Sequence, residues 1–173
     1  MKIDVHEPSN IINLIKQSIP VEVENLNGRG KADYLWTDFN GEEIQWERKQ
    51  VGEVLGSKKK KSGILTGMIA VEEQLNRQAA KGFTGLLTEG IIIPWGNKCR
   101  ILERRKSLGR DYFAIKERDY NHHYAEVVAW YDSLSRQGVP CRFTVDFAAT
   151  AIALVALFKN SQKSEHKALD RYY

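Results

Sequence analysis

The chain has 173 residues, 42% hydrophobic and 28% charged, the size and composition of one folded domain rather than of a disordered segment. Its longest apolar run, "FAATAIALVALF" from 147 to 158, has 12 residues, too few to cross a bilayer, and "MKIDVHEPSN" lacks a signal-peptide core. A membrane partner is therefore not expected. The net charge of +4 and two cysteines without metal-ligand spacing, Cys99 and Cys141, fit a cytoplasmic protein with free thiols and a polyanionic partner.

From the N-terminus, "KIDV" predicts a short strand. "SNIINLIKQS" predicts a helix begun by Ser9, with Ile11, Ile12, Leu14 and Ile15 as its apolar stripe. "VEVENL" alternates as a strand, and "NGRGK" is a turn or loop. "ADYLWTD" and "EEIQWERK" are two strands joined through "FNG", a hairpin. Helix follows from about Val51 to Ala80, interrupted by a lysine run and Gly63. "FTGLLTEGIII" predicts one buried strand, and the basic stretch after it a hairpin turning at "SLGR". "HHYAEVVAWYDSLSRQG" predicts an amphipathic helix stopped by Gly138, then "CRFTVDF" a strand and "AATAIALVALFKN" a helix. Alternation of strands and helices, with no repeat and no linker, predicts a single α/β domain built around a mixed sheet.

The register of the first hairpin decides where its charges go. A two-residue loop, Asn40-Gly41, would set Asp33 against Arg48, on the face away from Glu47. A three-residue loop, Phe39-Asn40-Gly41, sets Asp33 opposite Glu47 and wants a left-handed third residue, which Gly41 supplies. Positions two apart on a strand share a face, so Glu47 and Lys49 stand together while Ile44 and Trp46 point into the core. Two opposed carboxylates repel unless neutralised, and a hard divalent cation such as Mg²⁺ does so while keeping several waters. Lys49 could then orient the attacking water and stabilise charge growing on a phosphate. The same pattern also fits a charged sheet edge in which Lys49 merely pairs with Glu47.

"ADY" followed by "ERKQVGEVLGS" resembles the signature of the xeroderma pigmentosum group F (XPF) nuclease domain, a branch of the PD-(D/E)xK superfamily with a restriction-endonuclease-like central mixed sheet flanked by helices. The resemblance extends to "DVHE" (Asp4 to Glu7), "LLTEG" and "CRFTVDFAATAIALVAL", covering residues 1–160 and leaving 161–173 as a polar tail. It implies Asp33 and Glu47 as metal ligands, Lys49 acting on the attacking water, and Arg48 acting on phosphate or local structure. Glu53, Asp4 and Glu7 would form an outer shell or a second-metal set. Ala32 stands for the family's glycine, Glu53 for its aspartate and His6 for its arginine. Implied further are an Mg²⁺-dependent endonuclease that also accepts Mn²⁺, and a substrate of branched DNA such as arises in repair and recombination. A homodimer formed through late helices is implied too, and the run from Phe147 to Phe158, apolar but for Thr150, asks for such a cover. The alternative is a non-catalytic DNA-binding or scaffold protein of the same fold, against which the retention of Asp33, Glu47 and Lys49 speaks.

Two basic clusters are expected to hold phosphates: Lys58, Lys59, Lys60 and Lys61, and in the later hairpin Arg100, Arg104, Arg105 and Lys106. Trp46, Trp95 and Trp130 are expected in the core, with Trp36 the best candidate to stack on a base. His122 and His123, adjacent in sequence, make a poor metal pair and are expected at a helix start.

Overall fold

The computed structural model describes residues 1–56, 67–116 and 120–164. Its centre is a six-stranded mixed sheet in the order β10-β5-β4-β3-β1-β2. The strands are β1 (Lys2–Asp4), β2 (Glu22–Glu24), β3 (Tyr34–Thr37), β4 (Glu43–Gln50), β5 (Phe83–Glu89) and β10 (Cys141–Thr144). β10, β5 and β4 run parallel, β3 is antiparallel to β4 and to β1, and β2 runs parallel to β1. Parallel strands covered on both faces carry apolar side chains both ways. Leu86 and Leu87, neighbours on β5 that point to opposite faces, are accordingly both fully buried.

Each face has its own core. On one, α1 (Ser9–Lys16) and α5 (Phe147–Ser161) pack over Ile3, Tyr34, Trp36, Trp46 and Leu87. Ile11, Ile12 and Ile15 bury the stripe expected for α1, and each fully buried isoleucine contributes about 1.5–3 kcal/mol. On the other face lie α2 (Val51–Val54), α3 (Met68–Ala79) and α4 (Tyr124–Arg136), packed over Leu86 through Val54, Val71, Leu75, Val127 and Leu134. This is the α/β arrangement of a mixed sheet flanked by helices that the sequence predicts. Among the described residues no helix is long and apolar enough to cross a membrane. Cys99 and Cys141 are free thiols.

The structure departs from expectation in four places. "FTGLLTEGIII" is two strands, because Gly90 at φ 112° turns the chain out of the central sheet, and a Cβ there would meet Val51 Cγ2 at 2.6 Å. The second piece, β6 (Ile91–Trp95), opens a separate antiparallel sheet with β7 (Lys98–Ser107), β8 (Arg110–Ile115) and β9 (Tyr120–His123). Residue Pro8, not Ser9, occupies the cap of α1. Phe147 belongs to α5, capped by Asp146 Oδ1 accepting from Ala149 N at 2.9 Å. Finally, residues 161 and 162 are part of the domain rather than a tail: Trp36 Nε1 donates to Ser161 Oγ at 2.8 Å, and Gln162 Nε2 to Thr37 O at 2.7 Å.

Candidate active site

The β3–β4 ladder pairs Tyr34 with Trp46, Leu35 with Gln45 and Thr37 with Glu43, the register of a three-residue loop. Gly41 takes φ 85° in that loop, as the expected turn requires. The next pair along would be Asp33 with Glu47. Asp33 leaves the ladder there and caps it instead: its Oδ2 accepts from Arg48 N at 2.8 Å, and its Oδ1 from Asn27 Nδ2 at 3.2 Å. Leu108 is the only non-glycine with positive φ among the described residues, so Ala32 substitutes for glycine without left-handed backbone.

Glu47 is wholly buried on the α3 side of β4. Its Oε1 accepts from Lys49 Nζ at 2.5 Å and Gln74 Nε2 at 2.7 Å, and its Oε2 from Gln78 Nε2 at 2.7 Å. Gln74 and Gln78 are one helical turn apart on α3, and so both reach down onto β4. Three donors hold the carboxylate in one orientation. Lys49, Glu53 and Gln74 line a cleft of about 390 Å³ that opens this cluster to solvent.

Burial, with repulsion from Glu47 next, pushes the Asp33 carboxyl up to about 7, against the Arg48 backbone N–H, Lys49 and Asn27. Burial works against the charge of Lys49, but Glu47 beside it prevails and raises its pKa. Burial and the neighbouring Glu47 thus make the charged form of Asp33 costly, a cost that a hard cation beside the two carboxylates would relieve. No group of three or more His, Cys, Asp or Glu side chains gathers among the described residues. A divalent ion there would have two carboxylates, a donor set that suits Mg²⁺ with its retained waters. By lone-pair count, Glu47 Oε2 keeps one acceptor position open and Oε1 none.

Arg48 points to the opposite face and is 8% exposed. Its Nε and Nη2 donate to the two carboxylate oxygens of Glu89 at 3.0 Å each, and its Nη1 lies 3.6 Å from Glu7 Oε1. Tyr34 OH donates to Glu7, and Thr150 Oγ1 to Glu89 Oε2 at 2.8 Å. Of the two expected roles for Arg48, local structure is the one its contacts serve. Burial, then Asp33, lifts the Glu7 carboxyl to about 7. A carboxyl raised in the fold lends stability below its unfolded value, near 4.5, and loses it as pH rises through about 7. In EDTA, urea midpoints should therefore fall between pH 5 and pH 8, and Glu7→Gln should flatten that slope.

The remaining expected residues fall less close. Asp4 is fully buried, but its oxygens are taken by His6 N at 2.9 Å and Asn27 N at 2.7 Å. It anchors the 3₁₀ turn Asn27–Arg29, which in turn presents Asn27 to Asp33. Glu53 accepts from Gln50 N at 2.7 Å as part of the α2 capping box while facing the Lys49 cleft. Lys58, Lys59, Lys60 and Lys61 lie outside the described residues. Arg100 sits 4.3 Å over the Trp95 ring. Arg104 is engaged by Asp111 at 2.6 Å and Asp146 at 2.5 Å, and Arg105 lies 3.6 Å from Glu103. Lys106 is exposed.

Two tryptophans exchange their expected places. Trp36 is buried at 5% exposure, edge-on to Phe158, whereas Trp95 is 47% exposed. His123 caps α4 as expected; His122, in contrast, is buried. Sequence reasoning missed Gln74, Gln78, Asn27 and Glu89. The spacing Gln-x₃-Gln on a helix facing the Glu47 strand was the available signal for the first two. No family model and no curated protein matches this chain.

Proposed function

We propose that the chain is a metal-dependent DNA endonuclease that hydrolyses phosphodiester bonds in branched DNA, as the resemblance to XPF-type nuclease domains implies. The observation that carries this reading is the gathering of Asp33, Glu47 and Lys49 on one face of the sheet, with Lys49 reaching an open cleft. Asp33 and Glu47 would hold Mg²⁺, or Mn²⁺ in its place. Bound there, the ion supplies Lewis-acid polarisation and neutralises charge on the phosphate. Lys49, kept protonated by Glu47, donates a hydrogen bond toward the attacking water or the phosphate oxygen. Gln74 and Gln78 fix the Glu47 rotamer so that its carboxylate needs no rearrangement during the reaction. Arg48 braces the strand from behind rather than touching DNA. The test is incubation with linear, flap, fork and four-way DNA in Mg²⁺, Mn²⁺ or EDTA. Cleavage with either metal and none in EDTA is the expected result. Binding without cleavage would return the protein to the scaffold alternative.

A homodimer belongs to the same proposal. Thr150, the polar residue of the apolar run, is buried with Ala151 and Leu154, while Ile152 is 71% and Phe147 43% exposed. Beside them β10 forms the sheet edge, with Phe143 58% and Val145 44% exposed. Exposed apolar side chains on α5 and on the β10 edge are the kind of surface that a second subunit would cover. Light scattering at micromolar concentration should give a dimer mass, and Ile152→Glu a monomer.

A further inference from the structure

The outer part of the β7–β8 hairpin stands free of both cores: residues 104–113 are all exposed. Its ladder closes at Ser107 opposite Arg110, leaving Leu108-Gly109 as a two-residue turn with φ 49° and 77°. Positive φ at both positions is the I′ hairpin turn, whose first position favours asparagine or aspartate and penalises a side chain like leucine. Leu108 is nevertheless there, fully exposed. The chain thus places an apolar side chain in water, in strained backbone, at the outermost point of an arm. Neither local folding nor core packing explains that choice.

The flanks of the arm are cationic. Lys106 and Arg110 make no ion pair among the described residues. Arg104 is a strut, tying the hairpin to Asp146 at the start of α5. Below the tip, Tyr112 and Phe113 are 44% and 50% exposed and lie on opposite faces, across from Arg105 and Arg104. At its base, Ile101 to Arg104 share a cleft of about 300 Å³ with Gln50, Val51 and Gly52, the residues that follow Lys49. The base of the arm therefore meets the chain directly after Lys49, in a cleft separate from the one that Lys49, Glu53 and Gln74 line.

We propose that this hairpin is a wedge that recognises DNA branch points: Leu108 inserts between bases at the junction, and Lys106 and Arg110 hold the flanking phosphates. Apolar side chains inserted at a base step unstack it, and a step already interrupted by a branch costs least to open. Cations on both sides of the tip complement phosphates on both sides of the opening. This inference rests on the DNA reading above and names the element that selects the substrate.

The experiment is equilibrium binding of the full chain, in EDTA, to flap DNA and to linear duplex of equal length. 2-Aminopurine beside the junction reports unstacking. The wild type should favour flap DNA and brighten the probe. Leu108→Asn keeps the turn, since asparagine suits it better than leucine does, so misfolding is not an escape. That variant should lose about tenfold in flap affinity, as expected when one apolar side chain is withdrawn from between bases. It should also leave duplex affinity unchanged and the probe dark. Lys106→Gln with Arg110→Gln should weaken both DNAs and flatten the salt dependence of log affinity by about 2 units. Undiminished flap preference in Leu108→Asn, or no preference in the wild type, overturns the wedge. Mg²⁺ cleavage of the same DNAs separates the two ideas. Cleavage without branch preference removes the wedge alone; Leu108-dependent preference without cleavage removes the nuclease reading alone.

Discussion

Asp33→Ala and Glu47→Ala are each expected to abolish metal-dependent cleavage while leaving the fold in place. Loss of a single metal ligand removes both the cation and the charge stabilisation that it brings to the phosphate. Removal of one such electrostatic contact typically costs about 10²–10³ in rate, and loss of the ion itself costs more. Neither carboxylate fills a hydrophobic core. Glu47→Ala leaves Gln74, Gln78 and Lys49 without an acceptor, but all three approach the cleft side of β4, where solvent can reach Lys49 and Gln74. Circular dichroism should be unchanged in both variants, and gel assays with Mg²⁺ should show uncut DNA. Wild-type cleavage by either variant would sink the assignment.

Arg48→Met is the second large effect, and it falls on stability. The guanidinium is buried with Glu7 and Glu89, which are 8% and 12% exposed. Methionine replaces the aliphatic stem but leaves two carboxylates without their common cation. Breaking a buried pair in this way costs about 3–5 kcal/mol, roughly a 10–15 °C fall in melting temperature for a domain of this length. Because each carboxylate can escape by taking a proton, the deficit should be smaller at pH 5 than at pH 8. A variant as stable as wild type at pH 8 would show that Arg48 is not the brace described above. Charge and shape both contribute here: Thr150 and Tyr34 also hold the two carboxylates, so they cannot simply turn away.

Much of the candidate site was legible in the sequence because it depends on strand periodicity and one turn. The loop ending in Gly41 set the register, and the register set Asp33 beside Glu47 and Glu47 beside Lys49. What was not legible came from other parts of the chain. Gln74 and Gln78 reach Glu47 across a layer, a contact fixed by how α3 packs and not by any local pattern. Asp4 was expected near the metal by resemblance, yet two backbone N–H groups claim it, which only the fold of the Asn27 turn reveals. Trp36 and Trp95 exchanged roles for a similar reason. Trp36 lies under α5, which arrives from the far end of the chain, while Trp95 belongs to a second sheet that the apolar run "GIII" disguised as a continuation of the first.

The central claim is that Asp33 and Glu47 together hold one divalent cation. The direct measurement is Mn²⁺ binding followed by electron paramagnetic resonance, in wild type, Asp33→Asn and Glu47→Gln. Asparagine and glutamine preserve the size and hydrogen bonding of the side chains while removing their charge. One bound ion per chain in the wild type, lost in both variants and competed by Mg²⁺, is the result this account predicts. Equal Mn²⁺ binding in all three proteins would contradict it.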